Sequence, residues 1–129
     1  MAQRILVVED DQFLRELYSE LLTDAKYEVD LAEDGQEGLT KVQDGGYDLI
    51  LLDIMLPKMD GLEVLKKLKE KPPNEKNGPV VLLTNLGQDS IIKQGFELGA
   101  SGYLIKSSMN PDQVLSEVKV FLSKSSVSE

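Results

Sequence analysis

The chain has no cysteine and no histidine among its 129 residues. Without cysteine there is no disulfide and no thiolate metal site. Without histidine there is no imidazole acid–base chemistry, and the chain cannot carry a phosphohistidine of its own. No apolar run approaches the roughly 20 residues that span a bilayer. The N-terminus also lacks the basic segment and long apolar run of a signal peptide. A soluble, cytoplasmic protein is the expectation. Basic residues are outnumbered, with 14 Lys and Arg against 23 Asp and Glu and a formal net charge of −9. That balance argues against nucleic-acid binding by this domain, because phosphate backbones need a basic surface. It fits a bound cation or a partner with a basic face. On charge alone, solubility is the simplest reading.

What is present has the length of one domain, with 41% apolar residues, enough to bury a core. Short apolar runs at 5–8, 29–31, 49–52, 80–83 and 103–105 read as strands. Runs such as "ILVV", "LILL" and "VVLL" lack polar alternation, as in parallel strands covered on both faces. Helical spacing separates them. Leu14, Leu17, Tyr18, Leu21, Leu22 and Ala25 share one face, and so do Val114, Leu115, Val118, Phe121 and Leu122. Asp34, Asp60 and Asn110 each stand three residues before a Glu or Gln, the mark of a capped helix start. Asp89 is the expected cap of a helix that Gly99 ends. Residues 69–79 read as a polar loop, and 124–129 as a frayed polar tail outside a domain of residues 1–123. The pattern is (βα)5. It predicts an α/β fold with a doubly wound, parallel, five-stranded sheet in the order 2-1-3-4-5.

In such a sheet every strand ends on the same edge, and ligands bind where the winding reverses. Glu9, Asp10 and Asp11 follow the first predicted strand, Asp53 the third, Thr84 the fourth and Lys106 the fifth. Taken singly, an Asp at a strand end is most often a helix cap, and a lone Thr or Lys means little. The set on one edge is another matter. Carboxylates at close range need raised pKa values or a cation. An all-oxygen site suits a hard ion, Mg2+ above all, which leaves room for phosphate oxygens. Lys106 and Thr84 suit a phosphoryl group, and Asp53 suits the nucleophile of an aspartyl-phosphate. Asp11 is most simply a helix cap.

The stretches "ILVVEDD", "YDLILLDIMLPKMDG", "VVLLT" and "GASGYLIK" resemble the receiver domain of bacterial two-component response regulators, a flavodoxin-like fold. The resemblance spans about Arg4 to Leu122. It implies that Asp53 accepts a phosphoryl group from a sensor histidine kinase or a phosphotransfer protein. It implies that Asp10, Asp53 and the backbone carbonyl of Met55 ligate Mg2+, with Mn2+ as the alternative, and that Glu9 acts through a water. Thr84 and Lys106 would contact the phosphoryl group. Tyr103 would be an aromatic switch that turns inward as Thr84 shifts. The surface from Leu86 to Leu98, with Tyr103 and the last helix, would carry the signal to a downstream protein or a missing output domain. The domain would act on itself alone rather than as an enzyme, as a monomer or weak homodimer.

Two positions depart from the family pattern. Ser107 replaces a proline whose preceding bond is usually cis, a geometry that costs about 3–4 kcal/mol before Ser. The loop is therefore strained or takes another path. Asn85 replaces a small residue beside the site. Three other functions are weaker. An aspartyl-phosphate phosphatase usually needs an acid two residues after the nucleophile, where Met55 stands. A flavin or nucleotide site needs a phosphate loop where the acids would repel phosphate. A degenerate receiver that only binds partners does not need the full residue set.

Overall fold

Residues 5–8, 49–52 and 81–83 are almost completely buried, as runs without alternation require. The computed structural model describes residues 2–85 and 89–127. Its strands are β1 (Arg4–Val8), β2 (Glu28–Ala32), β3 (Leu49–Asp53), β4 (Val80–Thr84) and β5 (Gly102–Ile105). The helices are α1 (Gln12–Asp24), α2 (Gly35–Asp44), α3 (Gly61–Glu70), α4 (Asp89–Glu97) and α5 (Pro111–Val127). The strands pair in parallel in the order β2-β1-β3-β4-β5, as the sequence predicts.

Side chains alternate across a strand, so successive residues enter different cores. Leu6, Val8, Ile50, Leu52 and Leu82 pack with Leu39 and Val42 of α2 and Val64 and Leu65 of α3. Ile5, Val7, Leu49, Leu51, Val81, Leu83 and Leu104 pack with Tyr18 and Leu22 of α1 and Val114, Val118 and Leu122 of α5. Both faces are covered, and both are apolar. The edge strand β2 differs: Glu28 and Asp30 are exposed, so it shows alternation.

The caps form as expected. Asp11 accepts from Leu14 N (3.1 Å), Asp34 from Glu37 N (2.8 Å) and Asp60 from Glu63 N (2.9 Å). Asn110 and Gln113 bond each other's backbone N–H reciprocally, each at 2.9 Å. Gly99, at φ +110°, ends α4 in the left-handed region.

Several boundaries differ from expectation. Asp53 and Thr84 are the last residues of their strands, not the first beyond them. Asp89 is the first residue of α4 rather than the residue before it. The polar loop starts after Glu70, because α3 runs that far. The helix α5 continues to Val127 through most of the expected tail, and no Gly or Pro follows Pro111 to stop it. No peptide bond among the described residues is cis. The chain after β5 takes the other path, a single 3-10 turn at Lys106–Ser108. Leu86, where the expected signalling surface begins, lies outside the described residues, as do Ser128 and Glu129 at the end of the tail.

The Asp11 cap satisfies a backbone donor that α1 itself cannot. Asp11→Ala is expected to cost about 1 kcal/mol in urea unfolding.

Candidate functional site

The register brings the site together. Val8 of β1 pairs with Leu52 of β3, so Glu9 and Asp53 emerge side by side. β3 pairs with β4 at Asp53 and Leu83, and Thr84 pairs with Ile105 just before Lys106. This edge, between β1 and β3, is where the winding reverses.

Among the described residues the buried polar side chains are Glu9 (0% exposed), Asp53 (2%) and Thr84 (1%). Lys106 Nζ reaches across to Asp53 Oδ2 at 2.8 Å and Glu9 Oε1 at 3.1 Å. The second oxygen of each carboxylate accepts a backbone N–H. Met55 N donates to Asp53 Oδ1 and Asp11 N to Glu9 Oε2, both at 3.1 Å. Asp10 is the exposed member of the group. One carboxylate oxygen from each of Glu9, Asp10 and Asp53 lies within 4.8 Å of the others. The Thr84 hydroxyl donates to the Asn85 carbonyl at 3.2 Å.

Three carboxylates face one ammonium. Burial, then the hydrogen bond and charge of Asp53, push the Glu9 carboxyl up to about 7. Burial alone would lower the Lys106 pKa, but its hydrogen bonds and charge pairing with Asp53 and Glu9 outweigh that and raise it. Burial and the Glu9 charge likewise raise the Tyr18 phenol. Three carboxylates against one ammonium leave an excess of negative charge. The donors are all oxygen, so the cluster fits a hard divalent cation.

The structure thus collects Glu9, Asp10, Asp53, Thr84 and Lys106, and places the Met55 backbone next to Asp53. Asp11 turns away to cap α1. Tyr103 stands apart: it is 43% exposed and meets Phe96 edge-on, with ring centroids 6.3 Å apart. Sequence reasoning missed Arg15. Its Nη1 donates to the carbonyls of Glu9 (2.9 Å) and Asp10 (3.3 Å), tying down the turn that carries both acids. The signal was there, since Arg15 lies one helical turn after Asp11.

The family described as "Response regulator receiver domain" matches residues 5–119. The chain belongs to the response regulator receiver family. Transcriptional regulatory protein ResD of Bacillus subtilis is 39% identical over 123 residues, covering 95% of this chain and 49% of the relative. Transcriptional regulatory protein DltR of Streptococcus agalactiae is 41% identical over 124 residues, covering 96% of this chain and 54% of the relative. The chain therefore spans about half the length of these relatives. A CheY-like receiver domain from Methanospirillum hungatei superposes with a TM-score of 0.86 at 29% identity, covering 98% of both chains. This receiver is a phospho-acceptor signalling domain of the two-component type. Nothing favours the degenerate alternative. No helix among the described residues is long and apolar enough to cross a membrane.

The raised Glu9 pKa has a sign in stability. The folded, metal-free receiver holds a proton at Glu9 that the unfolded chain, at its ordinary 4.5, releases. The stability from that proton is fully present below about pH 4.5 and is lost as pH rises through about 7. Glu9→Gln keeps the shape without the charge. In urea unfolding without metal, the stability of Glu9→Gln relative to wild type is expected to be higher at about pH 8 than at about pH 5.

Proposed function

We propose that Asp53 is the phospho-acceptor of this receiver. The carrying observation is that Asp53 lies buried with Lys106 Nζ on one oxygen at 2.8 Å and the acid pair Glu9 and Asp10 beside it. Asp10 and Asp53, with the Met55 carbonyl, would hold Mg2+, or Mn2+ in its place, and Glu9 would act through a water; the ion would supply positive charge against the phosphoryl oxygens.

The chain's own groups do the rest. An Asp53 carboxylate oxygen attacks the phosphorus of a phosphohistidine that lies outside these residues. The P–O bond forms as the P–N bond breaks, and the bonding pair stays on the histidine nitrogen. Lys106 already bonds the oxygen of Asp53, so its charge stands where negative charge develops. The Thr84 hydroxyl is the second phosphoryl contact. The donor histidine lies outside these 129 residues, because they contain none. The donor is a sensor histidine kinase or a phosphotransfer protein. Beyond its own phosphorylation and dephosphorylation the domain catalyses nothing.

Phosphorylation shifts a pre-existing equilibrium, because the phosphoryl group adds contacts in only one of two conformations. Thr84 moves toward it, and Tyr103 leaves its contact with Phe96 and turns inward. The surface formed by α4, β5 and α5 then changes its affinity for a downstream protein or an attached output domain. The site of action is the cytoplasm, and the domain works as a monomer or weak homodimer.

Acetyl phosphate with Mg2+ should add one phosphoryl group to the wild type by intact mass, and none to Asp53→Asn. Lys106→Met should slow the addition about 100-fold. An unmodified wild type, or a modified Asp53→Asn, would contradict the assignment. Asn85 stands directly after Thr84, where its amide would restrict water at a phosphoaspartate. Asn85→Ala should therefore shorten the phosphoaspartate lifetime, and an equal lifetime would remove Asn85 from the account.

A further inference from the structure

Residues 54–60, which connect β3 to α3, carry Met55 past Asp53. The two ends of this loop close on each other. Gly61 N donates to the Ile54 carbonyl at 2.8 Å, and an ideal Cβ on Gly61 would lie 2.6 Å from the Asp53 carbonyl oxygen. The first residue is also tied to the sheet, through Ile54 N donating to the Leu83 carbonyl at 3.1 Å. The far side of the loop has no strand beside it, and something else must hold it.

That support comes from α2. Its first residue, Gly35, is buried, and an ideal Cβ there would overlap the Met59 carbonyl. Gly35 N donates to the Pro57 carbonyl at 3.4 Å. Three residues on, Gly38 lets Val8 approach, its ideal Cβ lying 2.8 Å from a Val8 methyl. The same face of α2 therefore rests on the end of β1 and on the loop after β3. Asp34 adds an ion pair to Lys58 at 3.5 Å. Lys58 is the centre of a γ-turn, with Met59 N bonded to the Pro57 carbonyl at 2.7 Å and φ at +67°. A non-glycine residue there is strained, and such strain persists only where the surroundings over-determine it.

We propose that Gly35 and Lys58 are positioning residues for the metal site: by seating the loop 54–60 against α2 they fix the Met55 main chain beside Asp53. The inference rests on the Met55 carbonyl being a metal ligand. Neither residue belongs to the carboxylate cluster. They act through the loop, as the groups behind metal ligands do elsewhere. The buried contact at Gly35 is the larger effect and the exposed ion pair at Lys58 the smaller.

The test measures Mg2+ affinity by calorimetry and Met55 amide exchange in the metal-free protein, for wild type, Gly35→Ala, Lys58→Gly, Lys58→Arg and Asp53→Asn. Unfolding free energies are recorded alongside, because a merely structural role lowers stability without changing the affinity of the folded protein. Gly35→Ala is expected to weaken Mg2+ binding about tenfold or more and to speed Met55 exchange. Lys58→Gly, which relieves the strained turn and removes the ion pair, should weaken binding about two- to fivefold, and Lys58→Arg should not. If Gly35→Ala does not fold, the two Lys58 variants decide by the same criterion. Variants that bind Mg2+ as tightly as wild type, while Asp53→Asn loses it, overturn the positioning role and leave the metal assignment standing. A wild type that binds no Mg2+, or an Asp53→Asn that binds it equally, overturns both.

Discussion

One ammonium bridging two buried carboxylates is the interaction on which this site depends. Lys106 Nζ lies 2.8 Å from Asp53 and 3.1 Å from Glu9, and Asp10 adds a third acid at the rim. The pairing is sufficient to bury the carboxylates but insufficient to neutralise them. Burying an unpaired charge is prohibitive, so the remaining excess is met by protonation or by a cation. In the metal-free protein burial, with the hydrogen bond and charge of Asp53, raises the Glu9 pKa. The same imbalance makes the pocket receptive to a divalent ion.

The fold makes that imbalance tolerable by holding every member on a buried element or at its end. β1 and β3 are inner strands covered on both faces, so Glu9 and Asp53 are delivered by buried, paired backbone. The outer supports are less obvious. Arg15 ties the carbonyls of the acid turn, and α2 seats the loop that follows Asp53. Both are contacts to backbone, which fix positions while leaving the carboxylate oxygens to the site.

The strand order and the gathering of the candidate residues on one edge were legible because they rest on two strong rules. Uninterrupted apolar runs mark buried parallel strands, and parallel strands deliver their ends to one edge. Glu9, Asp10, Asp53, Thr84 and Lys106 follow from those rules alone. Boundaries were less legible. Asp53 and Thr84 belong to their strands because ladder pairing continues to the site, and polarity gives no hint of that. Lys26 and Lys58 take positive φ with no glycine to signal it. The seat of the loop on Gly35 was hidden, because a glycine needed for close approach reads like any other. The polar tail misled in the other direction: residues without apolar periodicity still extend a helix that nothing stops.

The central claim is that an uncompensated acid cluster, poised for a cation, surrounds Asp53. The most direct measurement is the titration of the Glu9 side-chain carboxyl carbon by NMR, with and without Mg2+. The account predicts a midpoint near 7 in the metal-free protein, displaced well downward when Mg2+ is added. A midpoint near the ordinary 4.5 that does not respond to Mg2+ would contradict it.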